Sequence, residues 1–275
     1  MENILLCPIC NKNNNLKHWT SLDYNGISSK ECIECDIVFA EKMLDDGEYI
    51  KFYNKYNNSR DTEKEDLAIK RNICYQNDIK FINKTCGNMF KNILDIGCGN
   101  GKFLSLFNSE KKTGYDIDIN IIIENKSKYT DINFISDLNK ININEKFDLI
   151  IFRGTFQYIR DIKKMKDFIN NKLNINGYLI ILALANKNSP LAEIQRENWG
   201  LYNPIEMFNI FSLTSIKSIF NDYNTINIDF PYLDTPYASE KYDIQKFKDL
   251  IVDNKQSKFP FWGSIMQVIF QKRDI

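Results

Sequence analysis

Twelve residues, Ile93-Leu94-Asp95-Ile96-Gly97-Cys98-Gly99-Asn100-Gly101-Lys102-Phe103-Leu104, constrain the fold more than any other stretch of this 275-residue chain. An apolar run ends at Asp95-Ile96, glycines alternate through Gly97, Gly99 and Gly101, and an amphipathic run follows. Glycine tolerates positive φ and lets a ligand approach the backbone, while a helix opening there presents free N–H groups and the positive end of its dipole. A strand, such a turn and a helix over Lys102–Ser109 form the first unit of a doubly wound sheet, whose ligand lies at the carboxyl ends of the strands.

The rest of the chain agrees with an α/β fold. Short apolar runs at Asn92–Ile96, Lys112–Tyr115, Asn133–Ile135, Phe147–Phe152 and Tyr178–Ala185 suit parallel strands buried on both faces. Asn176-Gly177 supplies the turn into the last of them, and Thr225–Phe230 with Ile265–Gln271 suit a closing antiparallel pair. Helices are expected over Asp118–Lys126, Ile162–Leu173 and Leu213–Asn221. The expected whole is a mostly parallel seven-stranded sheet, doubly wound, behind a small N-terminal appendage. Three zones follow: residues 1–40 with paired cysteines, a helical linker or cap over 41–90 with its helix near Glu63–Lys84, and the sheet domain over 91–275.

The glycine loop is not a dinucleotide fingerprint, which needs a glycine where Lys102 stands, nor a triphosphatase loop, which needs Gly-Lys-Ser/Thr. Asp-x-Gly-x-Gly-x-Gly resembles the first motif of class I S-adenosylmethionine-dependent methyltransferases. Three further elements follow in order: Gly114-Tyr115-Asp116, Ser136-Asp137-Leu138 and Phe147-Asp148-Leu149-Ile150-Ile151. The resemblance implies S-adenosylmethionine as cofactor, with Asp95 near its methionyl amino group and Gly97, Gly99 and Gly101 against the methionyl and ribose parts. It puts Asp116 on the ribose hydroxyls and Asp137 beside the adenine amino group. Cys98, Ile117, Leu138 and Arg153 complete the expected cofactor set. Asp118 competes with Asp116 but reads as a helix cap.

Cys7-Pro8-Ile9-Cys10 and Cys32-Ile33-Glu34-Cys35 make two Cys-x2-Cys pairs with 21 residues between them, the spacing of a four-thiolate zinc ribbon. Such a site is closed and structural, and the metal replaces the core that so short a segment cannot build. Cys74, Cys86 and Cys98 read as small buried apolar residues, and His18, the one histidine, as a surface or packing residue.

Methyl transfer needs an aligned acceptor and, for a hydroxyl, removal of a proton. The stretch Arg153–Asp161 follows the fourth strand and faces the site in this fold; Tyr158 stands where many relatives carry a histidine and is the candidate catalytic residue. Arg153 has a planar fork that also suits a phosphate or carboxylate acceptor. The aromatic stretches 196–207, 230–238 and 259–263 resemble a subgroup with an N-terminal zinc ribbon, associated with surface-polysaccharide or nucleotide-sugar modification. That subgroup commonly has histidine where Met207 stands. Trp199, Tyr202, Glu206 and Tyr237 are the candidate acceptor-binding residues, since aromatic faces and polar groups suit a sugar. A phosphorylated, phosphoramidate or amine metabolite is an alternative acceptor. A non-catalytic cofactor-binding module is the alternative from another class.

Thirty-six basic residues balance thirty-six acidic ones, so no global field favours nucleic acid, and the expected partner is a small-molecule or sugar-nucleotide acceptor. No apolar run approaches the roughly 20 residues of a membrane span. An odd number of cysteines and no export signal point to the cytoplasm.

Overall fold

The computed structural model describes residues 1–20, 26–45, 47–52, 65–253 and 260–274. Seven strands form the main sheet: β6 (Asn92–Ile96), β7 (Lys111–Tyr115), β8 (Asn133–Ile135), β9 (Phe147–Arg153), β10 (Leu173–Ala185), β12 (Tyr223–Asp229) and β13 (Ile265–Lys272). Their order is β12-β13-β10-β9-β6-β7-β8. The five strands from β10 to β8 are parallel, and β13 and β12 close the other edge antiparallel. The chain winds outward through β6, β7 and β8, then returns to lay β9 on the other side of β6. That reversal opens a crevice at the carboxyl ends of β6 and β9, where ligands bind in such sheets.

Alternation along the strands divides the core. On β6 Ile93 faces one side while Leu94 and Ile96 face the other; on β9 Leu149 and Ile151 oppose Ile150 and Phe152. All seven side chains are at most 1 % exposed, each contributing roughly 1.5–3 kcal/mol of burial. One face is covered by α1 (Glu65–Cys86) and α2 (Ile119–Lys128), which give Tyr75, Ile82 and Ile122 to the core. The other is covered by α3 (Ile162–Lys172) and α5 (Leu213–Ile219), through Ile162, Ile169 and Ile216. A short α4 (Pro190–Gln195) follows β10, and α6 (Glu240–Phe247) lies between β12 and β13. The start expected for α1, Glu63, lies outside the described residues.

Two local expectations change. The helix expected over Lys102–Ser109 is a turn followed by one 3-10 turn, Leu104–Leu106. Phe103, Leu104 and Phe107 have a helical spacing, but all three are already buried by this compact turn, with Phe103 and Phe107 edge to face. β7 then begins at Lys111, which leaves no chain for further turns. Asn176-Gly177 does not precede β10 but lies inside it, where Asn176 adopts φ 62° and the pairing with β9 shifts register.

The N-terminal cysteine pairs sit on a smaller antiparallel sheet of β2 (Leu16–His18), β3 (Ser29–Cys32) and β4 (Ile37–Ala40), while β1 (Glu2–Asn3) pairs with β5 (Lys42–Met43). The fourth strand of that sheet, β11 (Asn209–Phe211), comes from the far end of the chain and pairs with β4. Cys7, Cys32 and Cys35 belong to the same core cluster as Phe152 and Phe156, so this module is fused to the main sheet rather than tethered to it.

Candidate active site and cysteine cluster

A cavity of about 750 Å³ lies at the carboxyl ends of β6, β7 and β9. Asp95, Gly97, Cys98 and Gly99 line it from the loop, Asp116 and Ile117 from the end of β7, and Asp137 and Leu138 from the segment after β8. Arg153 and Tyr158, from the end of β9 and the turn after it, complete the wall with Glu206. Asp95 and Glu206, 111 positions apart in the chain, thus meet in one crevice.

The two loop glycines that face it serve different ends. Gly97 has φ +81°, and a β-carbon there would fall on the Thr155 side chain. Gly99 has φ +51°, and a β-carbon would meet nothing within 4 Å, so it would project into empty cradle space. Gly101 does not line the cavity; a β-carbon there would lie 2.7 Å from Phe134. Asp116 locks the loop to β7: its Oδ2 accepts the Gly99 N–H at 2.9 Å and its Oδ1 accepts the Asp118 N–H at 3.0 Å. Asp118 caps α2, accepting the Asn120 N–H at 2.9 Å, as expected. Asp137 similarly accepts the Asn139 N–H at 2.9 Å.

Asp95 is 2 % exposed and its Oδ1 has no hydrogen-bond partner. Burial pushes its carboxyl up to about 7, against the opposing pull of Arg153. Arg153 itself is engaged: its Nε donates to Asp78 Oδ2 at 2.7 Å, and its guanidinium lies 4.3 Å from the Tyr75 ring centroid. Burial raises the Asp78 carboxyl, and Arg153 partly offsets this. Cys98 is buried, which pushes its thiol far up and makes it a packing residue.

The expected acceptor residues separate. Glu206 lines the cavity and accepts the Asn203 amide at 2.9 Å. Tyr158 lines it from a 3-10 turn, Phe156–Tyr158. Trp199 and Tyr202 are 2 % and 3 % exposed and line neither large cavity; they pack with Trp19, and the Tyr202 hydroxyl pairs with Ser29 Oγ at 2.9 Å. Tyr237 lines a neighbouring cavity. Met207 is buried beside Trp199.

Two residues that the sequence reading passed over shape the site. Asn125 is buried on α2 and its Nδ2 donates to the Gly99 carbonyl at 2.6 Å, pinning the loop from behind. Asp78 holds Arg153. The available signal was the same for both: a polar residue on the inner, apolar face of an amphipathic helix, three or four positions from Ile122 or Ile82.

The four expected metal ligands also converge. The sulfurs of Cys7, Cys10, Cys32 and Cys35 lie within 4.8 Å of one another, and those of Cys10 and Cys32 are 3.9 Å apart. A tetrahedron with metal–sulfur bonds of about 2.3 Å has edges of about 3.8 Å. Each pair ends in a residue of positive φ, Asn11 at 58° and Asp36 at 53°, which turns the chain away from the sulfurs. Asp36 also accepts from Lys187 at 2.5 Å, and Lys187 reaches Glu31 at 2.8 Å, bridging this module to the segment after β10. His18 lies at the surface.

A family model described as a methyltransferase domain matches residues 67–228, more than half of the chain. The malonyl-[acyl-carrier protein] O-methyltransferase of Calditerrivibrio nitroreducens is 30 % identical over 128 residues, 45 % of this chain and 50 % of that protein. The putative methyltransferase 235L of Invertebrate iridescent virus 6 is 27 % identical over 121 residues, 41 % of this chain and 46 % of that protein. The chain therefore spans about half the length of these curated relatives. Among solved structures, an S-adenosylmethionine-dependent methyltransferase from Clostridium acetobutylicum aligns over 80 % of this chain and 99 % of its own, with a TM-score of 0.51 at 14 % identity. The YcgJ protein of Bacillus subtilis aligns over 73 % and 100 %, with a TM-score of 0.53 at 17 % identity, a likeness of fold. Sheet order, loop and family match together show that the chain belongs to the class I S-adenosylmethionine-dependent methyltransferase family.

Proposed function

We propose that the protein transfers a methyl group from S-adenosylmethionine to a hydroxyl of an activated sugar or surface-polysaccharide precursor, and that a structural zinc ion sits among its four paired cysteines. The observation that carries the cofactor is the open face of Gly99, a cradle that any side chain would fill, beside the anchored Asp116. The fit extends to the buried, unpartnered Asp95 Oδ1, an acceptor suited to an ammonium donor. When bound, the cofactor supplies a methyl group on a sulfonium with a good leaving group. The chain's share is to bind and orient. Asp116 would hold the ribose hydroxyls, Asp137 with Ile117 and Leu138 the adenine, and Asp95 the methionyl ammonium. Tyr158 and Glu206 would lie at the acceptor end; Tyr158 would orient the acceptor hydroxyl, whose proton would pass to the Glu206 carboxylate or to Tyr158 as its phenolate. The four cysteine sulfurs, all within 4.8 Å of one another and with the Cys10–Cys32 edge at 3.9 Å, would suit a zinc ion, and a cytoplasmic location would keep such thiols reduced.

Calorimetry with S-adenosylhomocysteine tests the cofactor, and absence of binding would overturn the reading. Labelled cofactor incubated with nucleotide sugars, glycan fragments and phosphorylated metabolites tests transfer. A second acceptor class is favoured by the malonyl-[acyl-carrier protein] relatives, namely a carboxylate on a carrier protein, for which Arg71 at the cavity wall offers a cation. A malonyl-loaded carrier protein therefore belongs in the same panel. Cofactor binding without turnover on any member would make the protein a binding module.

A further inference from the structure

A second cavity, of about 990 Å³, opens on the other side of Arg153, and Arg71 and Arg153 border both cavities. One wall is a face of α1; the opposite wall is the Phe230–Tyr237 segment with Trp262. Its floor is the antiparallel edge of the sheet, where Asp229 ends β12 and Gln267 lies near the start of β13.

Gln267 is the unusual residue here. Its neighbours Met266 and Val268 face the core on the opposite side, so alternation turns Gln267 toward α1. It is 3 % exposed; its Nε2 donates to Asp229 Oδ2 at 3.0 Å, and its Oε1 has no hydrogen-bond partner. A buried amide oxygen left without a donor is costly, and such groups in native structures have a reason. The adjoining backbone is strained as well. Ala183, on the cavity wall, has φ 51°, and this bulge switches Leu184 to the opposite core from Leu182. A non-glycine residue in that region of φ marks sites held for a purpose.

The exposed surfaces supply the complementary half. Phe230 and Trp262 are 42 % and 55 % exposed, offering apolar faces beside a floor of hydrogen-bond acceptors. Acceptors sharing one cavity with exposed aromatic rings suit a ligand with hydroxyl donors along one edge and C–H groups on its face. We propose that the second cavity seats a saccharide ring, with adjacent hydroxyls donating to Gln267 Oε1 and Asp229 and the ring face on Trp262. This rests on the methyltransferase reading and makes the cavity the seat of the acceptor's distal ring.

The chain's three tryptophans give the test its reporter, because Trp19 and Trp199 are buried and Trp262 is not. The indole N–H resonance of Trp262, assigned with Trp262→Phe, is followed while the full-length protein is titrated with methyl glycosides of glucose, galactose and mannose, UDP-glucose and GDP-mannose. Each titration is run with and without S-adenosylhomocysteine. At least one saccharide should shift the resonance saturably, and Gln267→Leu should weaken that binding about tenfold with cofactor affinity within about twofold. Trp262→Ala, an exposed change, should weaken saccharide binding to a similar degree, read by calorimetry. Cofactor binding with no saccharide shift at Trp262 overturns the assignment, as does saccharide affinity unmoved by both variants. Failure of the homocysteine product to bind, with the saccharide shift intact, overturns the methyltransferase reading alone.

Discussion

Asp116→Ala separates two roles that one carboxylate combines. In the protein without ligand it accepts from Gly99 N at 2.9 Å and Asp118 N at 3.0 Å, tying the loop to the end of β7. The site is partly solvated, so water replaces some of what is lost, and each bond contributes about 1 kcal/mol net. The expected loss of about 2 kcal/mol lowers the melting temperature by about 4–8 °C in a protein of this size. With cofactor, two ribose hydroxyls lose their charged acceptor as well, a further loss of about 2–4 kcal/mol, or about thirtyfold to a thousandfold in affinity. Thermal melts without ligand and calorimetry with S-adenosylhomocysteine read the two effects apart. Asp118→Ala is the control, since Asp118 caps α2 and its loss costs about 1 kcal/mol of stability with little effect on affinity. A melting shift in Asp116→Ala with affinity unchanged within about threefold would refute the ribose role. Weakened affinity with no melting shift would refute the loop anchor.

Arg153→Met leaves Asp78 buried without its cation and should cost about 3–5 kcal/mol in urea unfolding, most of it recovered by adding Asp78→Leu; no recovery would deny that the pair acts as a unit. Asp95 titrates near 7 when folded against 3.8 unfolded, so the folded protein keeps a proton that the unfolded chain releases; its contribution to stability declines as pH rises from about 4 to 7 and is level above. Asp95→Asn should flatten that part of the stability profile, and an unchanged profile would assign the slope elsewhere. Metal removal by a chelator should release about one zinc per chain and lower the melting temperature of the whole protein in one transition, because Cys7, Cys32 and Cys35 share a core with the main sheet; a separate, isolated transition would contradict that coupling. Tyr158→Phe keeps the ring and removes the hydroxyl, so a fall in kcat with unchanged cofactor affinity supports proton transfer, and unchanged turnover assigns the proton to another group such as Glu206.

The glycine loop, the ordered acids and the cysteine spacing were legible because each is a local demand. A positive φ at Gly99, an acid at the end of β7 and two cysteines three positions apart need only a few neighbouring residues to be satisfied. Buried strands were legible for the same reason, since a parallel strand covered on both faces must be apolar along its length. The 102–109 segment misled because the spacing of Phe103, Leu104 and Phe107 is met equally by a helix or by one compact turn, and only the nearby start of β7 chooses.

What the amino-acid sequence determined by itself was the sheet, the glycine loop with its ordered acids, and the convergence of the four sulfurs. Tertiary structure alone decided what surrounds these features. It paired Arg153 with Asp78 across 75 residues, buried Trp199 and Tyr202 that the aromatic stretch at 196–207 had suggested for a pocket, and carried β11 back to the cysteine sheet. It also placed Gln267, whose side-chain oxygen has no hydrogen-bond partner, in the wall of a second cavity. The reason is physical: a turn or a knuckle is fixed by contacts within a few residues, whereas which side chain meets water or a ligand depends on how distant elements pack over it.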